Sequence, residues 1–341
     1  MRTRLARYPI TVAGLAMLLL AFAACGGDDN NTDETPTTAA ATFGTGGGTP
    51  QAGVTPSDIA TTYPITITDM LYRQVTLDKA PVKIAAISPT TVEYVYAVGG
   101  TSVTRSSSVD YPEDAVSAMD VGSAYQPNLE LIAAQEPDLI IADSVLQPQL
   151  QESLEALGVP VLYVGANTFI DVVNGLGIVG QAIDHPTAAS KAQNALETQI
   201  MGLSRQVPET MPKVLVLNGT PDDFYAAKPE SYVGDLVNLI AGDNVARGQP
   251  DVGRFPGYTK LSLEQIVVAQ PDVVLAITAG PPGGKTISDE LSSNPAWKDV
   301  PAVKNGRVSE ISAELFLQAP GPRAGEALDM LAKLLYPETF S

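Results

Sequence analysis

Two rounds of strand–helix alternation, separated by a strand-poor helical run, predict an α/β protein: two Rossmann-like lobes with mainly parallel sheets, joined by a long helical linker. Three observations carry that reading. Short aliphatic strand candidates, VKIAAIS (Val82–Ser88) and KVLVLNG (Lys213–Gly219), open the two halves. The stretch from Phe169 to Val207 holds two helical segments and no convincing strand. A helix-turn-strand segment also occurs twice. Asn128–Ala142 and Ser262–Ala276 share Leu, Glu, Ile, Pro and Asp at the same internal positions, with Glu130 matching Glu264, Pro137 matching Pro271 and Asp138 matching Asp272.

The elements divide the chain as 1–24, 25–62, 63–168, 169–207 and 208–341. The first segment places Arg2, Arg4 and Arg7 before an apolar run from Ile10 to Ala24, the layout of a secretory signal. That run is shorter than the roughly 20 residues a membrane-spanning helix needs. It ends at Cys25, the only cysteine, after the small residues Ala23 and Ala24. The junction resembles a bacterial lipobox, with Phe22 where that motif usually carries an aliphatic residue, and the resemblance implies acylation of Cys25. Residues 25–62 are rich in Gly, Thr, Pro and acidic side chains, a composition for a flexible tether with no core. Folded structure is expected to begin between Tyr63 and Pro81.

In the first lobe, Val82–Ser88 reads as a strand. PTTVEYVYAVG follows as a helix ended by Gly99 and Gly100. Thr101–Arg105 gives a second strand, SSSVDYPEDA a polar loop, Glu130–Gln135 a helix and Leu139–Ala142 a buried strand. The helix Pro148–Leu157, stopped by Gly158, leads to the strand Val159–Val164. Within 169–207 the helices part at Asp184-His185-Pro186, where Asp184 or His185 caps the second helix and Pro186 takes its first turn. The second lobe reads as the strand Lys213–Gly219, the helices Ser231–Ile240 and Leu263–Ala269, the strands Val273–Ile277 and Arg307–Ile311, and a closing amphipathic stretch, Gly325–Leu335.

Charge and composition narrow the function. With 20 basic and 38 acidic residues the chain carries −18 and no basic run, which argues against nucleic-acid binding. His185 is the sole histidine, so a zinc site of several histidines cannot be built and a His-paired nucleophile would have to depend on this one residue beside a proline in a polar setting; it is read as a helix cap or surface residue. The glycine runs match neither a Walker A loop nor a dinucleotide fingerprint. The chain therefore reads as a binding protein, with no enzymatic activity, no cofactor and no bare metal.

The order SPTTVEYVYAVG, SVDYP, PNLELIAAQEPDLII, helical segment, GYTKLSLEQIVVAQPDVVLA, VKNGRVSEIS and PGPRAGEALDMLAKLLYPE resembles the periplasmic binding proteins that serve ABC importers of iron-siderophores, haem and cobalamin. The likeness runs from Val82 to Pro337. It implies a monomeric, lipid-anchored, extracytoplasmic protein that delivers a small-molecule chelate to a permease dimer with its ATPase subunits. It also implies one long helix spanning the lobes, with Pro186 as the point of interruption. Glu130 and Glu264 correspond to the glutamates by which such proteins dock on permease arginines.

Ligand contacts are expected on loops at strand C-termini, where two α/β lobes face each other. In the first lobe these are the loops of Ser88, Tyr111, Tyr125 and Asp143, and in the second Phe224, Tyr225, Phe255, Tyr258 and Phe316. Tyrosines suit a flat chelate, offering a rigid face with a hydroxyl at the rim. Arg105, Arg247 and Arg254 are the candidate partners for anionic oxygens. Trp297 is read as core. SVDYP and GSAYQPNLE resemble cobalamin-binding members, which puts a corrinoid first, a ferric siderophore next and haem behind. A surface adhesion or signalling module on the same scaffold is the alternative outside transport.

Overall fold

The computed structural model describes residues 60–253, 256–280 and 283–340. The expected signal and tether up to residue 59, the lipidation candidate Cys25 and the loop residues Arg254 and Phe255 lie outside the described residues.

The chain enters through an antiparallel hairpin, β1 (Ile65–Thr68) and β2 (Gln74–Leu77). The first lobe follows: β3 (Ile84–Ala86), α1 (Pro89–Ala97), β4 (Thr104–Arg105), β5 (Met119–Asp120), β6 (Gly122–Ser123), β7 (Gln126–Pro127), α2 (Leu129–Ala134), β8 (Leu139–Asp143), α3 (Gln151–Glu155), β9 (Val161–Val164) and α4 (Phe169–Ala182). Its sheet runs β5-β4-β3-β8-β9 and is parallel throughout. Every residue of β3, β8 and β9 is buried, as expected for aliphatic strands covered on both faces. α1 starts where its sequence says it should. Ser88 accepts the Thr91 N–H, the Thr91 hydroxyl returns the bond, Pro89 occupies the first turn, and Gly99 at φ +82° turns the chain away.

The entry hairpin was not foreseen from sequence, and its turn covers the open edge of β9. Asp69 Oδ1 accepts the N–H groups of Leu71 and Arg73 at 3.0 Å each. Its other oxygen holds the Arg73 guanidinium at 2.7 Å, and that group also bonds the Val161 carbonyl and lies over the Tyr163 ring at 4.6 Å. The Met70 N–H then donates to the Tyr163 carbonyl at 3.0 Å, occupying an edge that would otherwise be free to pair.

The segment 169–207 is two helices, α4 and α5 (Pro186–Ser204). Asp184 at φ +63° and Pro186 in the first turn of α5 break the helix, so one continuous helix is not formed. The two pack as an antiparallel pair: Gln193 Nε2 donates to the Val173 carbonyl at 2.7 Å, and a Cβ on Gly180 would sit 2.2 Å from that of Ala189. α5 alone runs from the first lobe to the second, and its 19 residues span about 28 Å. His185 stands at the N-cap position of α5, but its side chain caps nothing. Nδ1 donates instead to the Val98 carbonyl beyond α1, at 2.8 Å.

The second lobe contains β10 (Lys213–Gly219), β11 (Phe224–Ala227), α6 (Tyr232–Leu239), β12 (Asp243–Asn244), β13 (Tyr258–Thr259), α7 (Leu263–Ala269), β14 (Val273–Thr278), α8 (Ile287–Ser293), α9 (Pro301–Lys304), β15 (Val308–Glu310) and α10 (Ala324–Leu335). Its sheet runs β13-β11-β10-β14-β15, with β12 also on β10. β10, β12, β14 and β15 pair in parallel, whereas β11 and β13 form an antiparallel flap that sequence reading missed.

The sequence repeat is a structural repeat. α2–β8 and α7–β14 occupy the same place in each sheet, each beside the opening strand of its lobe. Lys83, just before β3, and Lys213, the first residue of β10, make matching bonds. Each backbone N–H donates to the repeat aspartate, Asp138 or Asp272, at 2.9 Å, and each carbonyl accepts that aspartate's N–H. The helix ends match too, with Glu136 at φ +50° and Gln270 at φ +52°.

Alternation along the strands divides the interior. Leu139 and Ile141 of β8, Val214 and Val216 of β10, and Val273 and Leu275 of β14 share one core that runs through both lobes. Their neighbours Ile140 and Leu215 face two separate cores on the far side of each sheet.

Candidate functional site

The lobes meet along a seam where α1 of the first faces α6 and the start of α10 of the second. Arg323, just before α10, is the centre of it. Its Nε lies 3.1 Å from both carboxylate oxygens of Glu93 on α1, and Nη2 also bonds Glu93 and Glu314. The guanidinium stacks at 4.2 Å over the ring of Tyr111, which hangs from the loop after β4. A second bridge lies nearby: Asp235 on α6 accepts the N–H of Phe169, the first residue of α4, at 2.7 Å.

Beside this cluster is a cavity of about 510 Å³ lined by Glu93, Tyr96, Tyr111, Gln199, Arg323 and Asp329 among others, and so drawn from both lobes and from α5. Its size lies in the range of small-molecule sites. Burial pushes the Glu93 carboxyl up to about 7, and the bonds from Arg323 offset that only in part. Burial also opposes the charge on Arg323, but the bonds from Glu93 and Glu314 outweigh it and hold the guanidinium firmly cationic. The dry side of the seam is packed with Tyr94, Tyr232 and Phe316. The hydroxyls of Tyr94, Tyr232 and Thr90 are buried there without a hydrogen-bond partner among the described residues.

Of the sequence candidates, Tyr111 lines the cavity and is 44 % exposed. The other described candidates stand elsewhere. Ser88 and Asp143 meet, with the Ser88 hydroxyl 3.3 Å from Asp143 Oδ2, but both are buried. Burial raises the Asp143 carboxyl, against the pull of bonds from Leu146 and Val145. Gln147 completes this knot by accepting the Asp143 N–H at 2.8 Å and donating to the carbonyls of Ile87 and Ala124. The knot therefore positions loops; its side chains are not presented to the cavity. One of those loops carries Tyr125, exposed at the turn between β6 and β7.

In the second lobe Tyr225 is half-buried on β11 beneath the Lys260 ammonium, 4.7 Å from its ring centre. Tyr258 on β13 is half-buried, and burial pushes its hydroxyl up to about 12. Phe224 packs on Trp297 at 6.0 Å, and Trp297 is core as expected. Phe316 is 1 % exposed within the shared core, so it supports the seam from inside and presents no open face. Arg105 is spent on Asp120 and two backbone carbonyls, and Arg247 bonds Asn238.

Sequence reading overlooked Glu93, Glu314 and Arg323. The available signal was a lone glutamate inside an otherwise uncharged helix, PTTVEYVYA, and a lone arginine in PGPRAGE. Their meeting needs two segments 230 residues apart. Glu130 and Glu264 are both exposed on α2 and α7, and neither forms an ion pair among the described residues. No described helix is long and apolar enough to cross a membrane.

Comparison with known proteins fits this architecture. An ABC transporter substrate-binding lipoprotein of Bacillus subtilis is 26 % identical over 288 residues, covering 82 % of this chain and 87 % of its own. A Fe(3+)-citrate-binding protein of the same organism is 28 % identical over 233 residues, covering 67 % and 69 %. A cobalamin-binding protein of Halobacterium salinarum is 25 % identical over 299 residues, covering 85 % and 79 %. Among solved structures, an ABC transporter substrate-binding protein from Listeria monocytogenes superposes with a TM-score of 0.66 at 27 % identity, covering 76 % of this chain and all of its own. The family model described as periplasmic binding protein matches residues 84–315, and with two lobes, a spanning helix and a seam cavity in place, the chain belongs to that family.

Proposed function

We propose that this protein is the extracytoplasmic substrate-binding component of an ABC importer, held at the membrane by a lipid on Cys25. In this reading it captures a metal chelate between its lobes and passes it to the permease. The observation that carries the proposal is the cavity at the lobe seam, in which Tyr111 of the first lobe and Arg323 of the second meet. Relatives named for cobalamin and for Fe(3+)-citrate support the chelate class, and the resemblance of SVDYP and GSAYQPNLE favours a corrinoid over a ferric siderophore. Glu130 and Glu264, exposed at matching positions on the two lobes, are the proposed contacts to the permease. Native mass spectrometry of the protein soaked with a panel of corrinoids, ferric siderophores and haem tests the proposal. A retained chelate mass, lost on Tyr111→Ala, supports it; an empty protein across the whole panel removes it.

A further inference from the structure

We propose that the seam selects a neutral or cationic chelate and turns away polyanionic ones. The proposal rests on the reading that the ligand lies between the lobes, and it narrows the class of ligand. A polyanionic chelate needs a cation free to meet it, yet Arg323, Arg105, Lys228 and Lys260 are each matched by carboxylates, and Arg247, exposed and bonded only to the neutral Asn238, does not line the cavity. Arg323 is shared by Glu93 and Glu314, with its face on Tyr111. Arg105 bonds Asp120 at 3.2 Å. The Lys228 side chain, 8 % exposed, is 2.7 Å from Asp251 and 3.6 Å from Glu230. Lys260 pairs with Asp223 and covers the Tyr225 ring.

Carboxylates, by contrast, are in surplus. Asp114, Glu326 and Asp329 line the cavity together with Glu93, and those three form no ion pair among the described residues. An anionic ligand could recruit Arg323 only by drawing it from Glu93, which would strand a carboxyl that is 2 % exposed. It would also meet the field of three acidic side chains at the mouth. A chelate without net negative charge avoids both penalties, and Tyr96 and Tyr111 offer it aromatic surface.

The test is a fluorescence titration of the full mature chain with three probes: cyanocobalamin, an uncharged ferric trihydroxamate and ferric citrate. At low salt a neutral probe should bind at least about ten-fold more tightly than the anionic one, and the gap should narrow at high salt because exposed carboxylates are screened. Glu326→Gln combined with Asp329→Asn should narrow it at low salt as well. If ferric citrate instead binds more tightly than both neutral probes, the selection is overturned while the chelate-binding reading survives. Loss of that binding in Arg254→Gln would then identify the cation responsible. If no probe binds at either salt, the chelate reading fails and this inference falls with it.

Discussion

The two lobes share a unit and differ in how they hold what is built on it. In both, a capped helix, a left-handed residue and a Pro-Asp turn deliver a buried strand to the same position beside the opening strand. Beyond the strand ends they diverge. The first lobe fixes its loops with a buried knot in which Gln147 satisfies three backbone groups and Asp143 ties to Ser88. The second adds the antiparallel flap β11–β13 and secures its loops with ion pairs, the buried Lys228 to Asp251 and, at the surface, Lys260 to Asp223. Buried hydrogen bonds keep loop geometry nearly independent of salt, whereas exposed pairs contribute little and are screened. The repeat thus conserves the frame, and the two ends differ in how firmly they are set.

The largest effect tests what the lobes have in common. Glu130→Arg combined with Glu264→Arg should leave chelate binding in place but cut uptake into vesicles carrying the cognate permease by about ten-fold or more, with each single change milder, because matched charges set docking orientation. Normal uptake at wild-type protein levels would remove both residues from docking.

The bridge between the lobes should matter next. Arg323→Gln strands Glu93 and should lower stability by about 3 kcal/mol at pH 8, measured by denaturant unfolding. At pH 5 the loss should shrink, because Glu93 can then protonate. The sign for Glu93 itself follows from its raised folded value of about 7, above an ordinary 4.5. Its stabilising contribution is complete below about 4.5 and is lost as pH rises through about 7, a change of up to about 3 kcal/mol. Glu93→Gln should therefore flatten the fall in stability across that window, while an unchanged slope would show that the carboxyl ionises freely in the folded protein.

Two further substitutions set the lobes directly against each other. Gln147→Ala leaves the buried carbonyls of Ile87 and Ala124 without their donor, and should lower stability by about 2 kcal/mol at any salt. Lys260→Gln removes an exposed pair and should leave the melting temperature unchanged at high salt, with at most a small decrease at low salt. Equal losses for the two would erase the distinction between a rigid and a loosely tied lobe.

How much was legible followed from the range of the interactions involved. The strand Lys213–Gly219 and the helix Leu263–Ala269 form with the boundaries read from sequence, because aliphatic runs and local caps such as Ser262 act within a few residues. The β1–β2 hairpin was missed although ITIT and QVTL alternate, because strands of four residues are too short to stand out and the turn between them is secured by Arg73 reaching Val161 and Tyr163. The flap escaped for a similar reason, since FYAA and YT are too short to announce themselves without β10 to pair with. Tyr111 could be placed on a loop because SSSVDYPEDA follows a strand end. Phe316 could not be separated from an exposed aromatic, because its burial depends on neighbours from both lobes.

By itself the sequence determined the alternation, the caps, the repeat with its paired glutamates, and the break at Asp184-His185-Pro186, since all of these rest on local backbone preference and the period of apolar side chains. Only the tertiary structure decided that α4 folds back and α5 alone spans the lobes, and that Glu93 meets Arg323 across 230 residues. Its physical reason is that burial and charge pairing depend on which surfaces come together, and a shared core through both lobes brings α1 against the start of α10 in a way that no local pattern encodes.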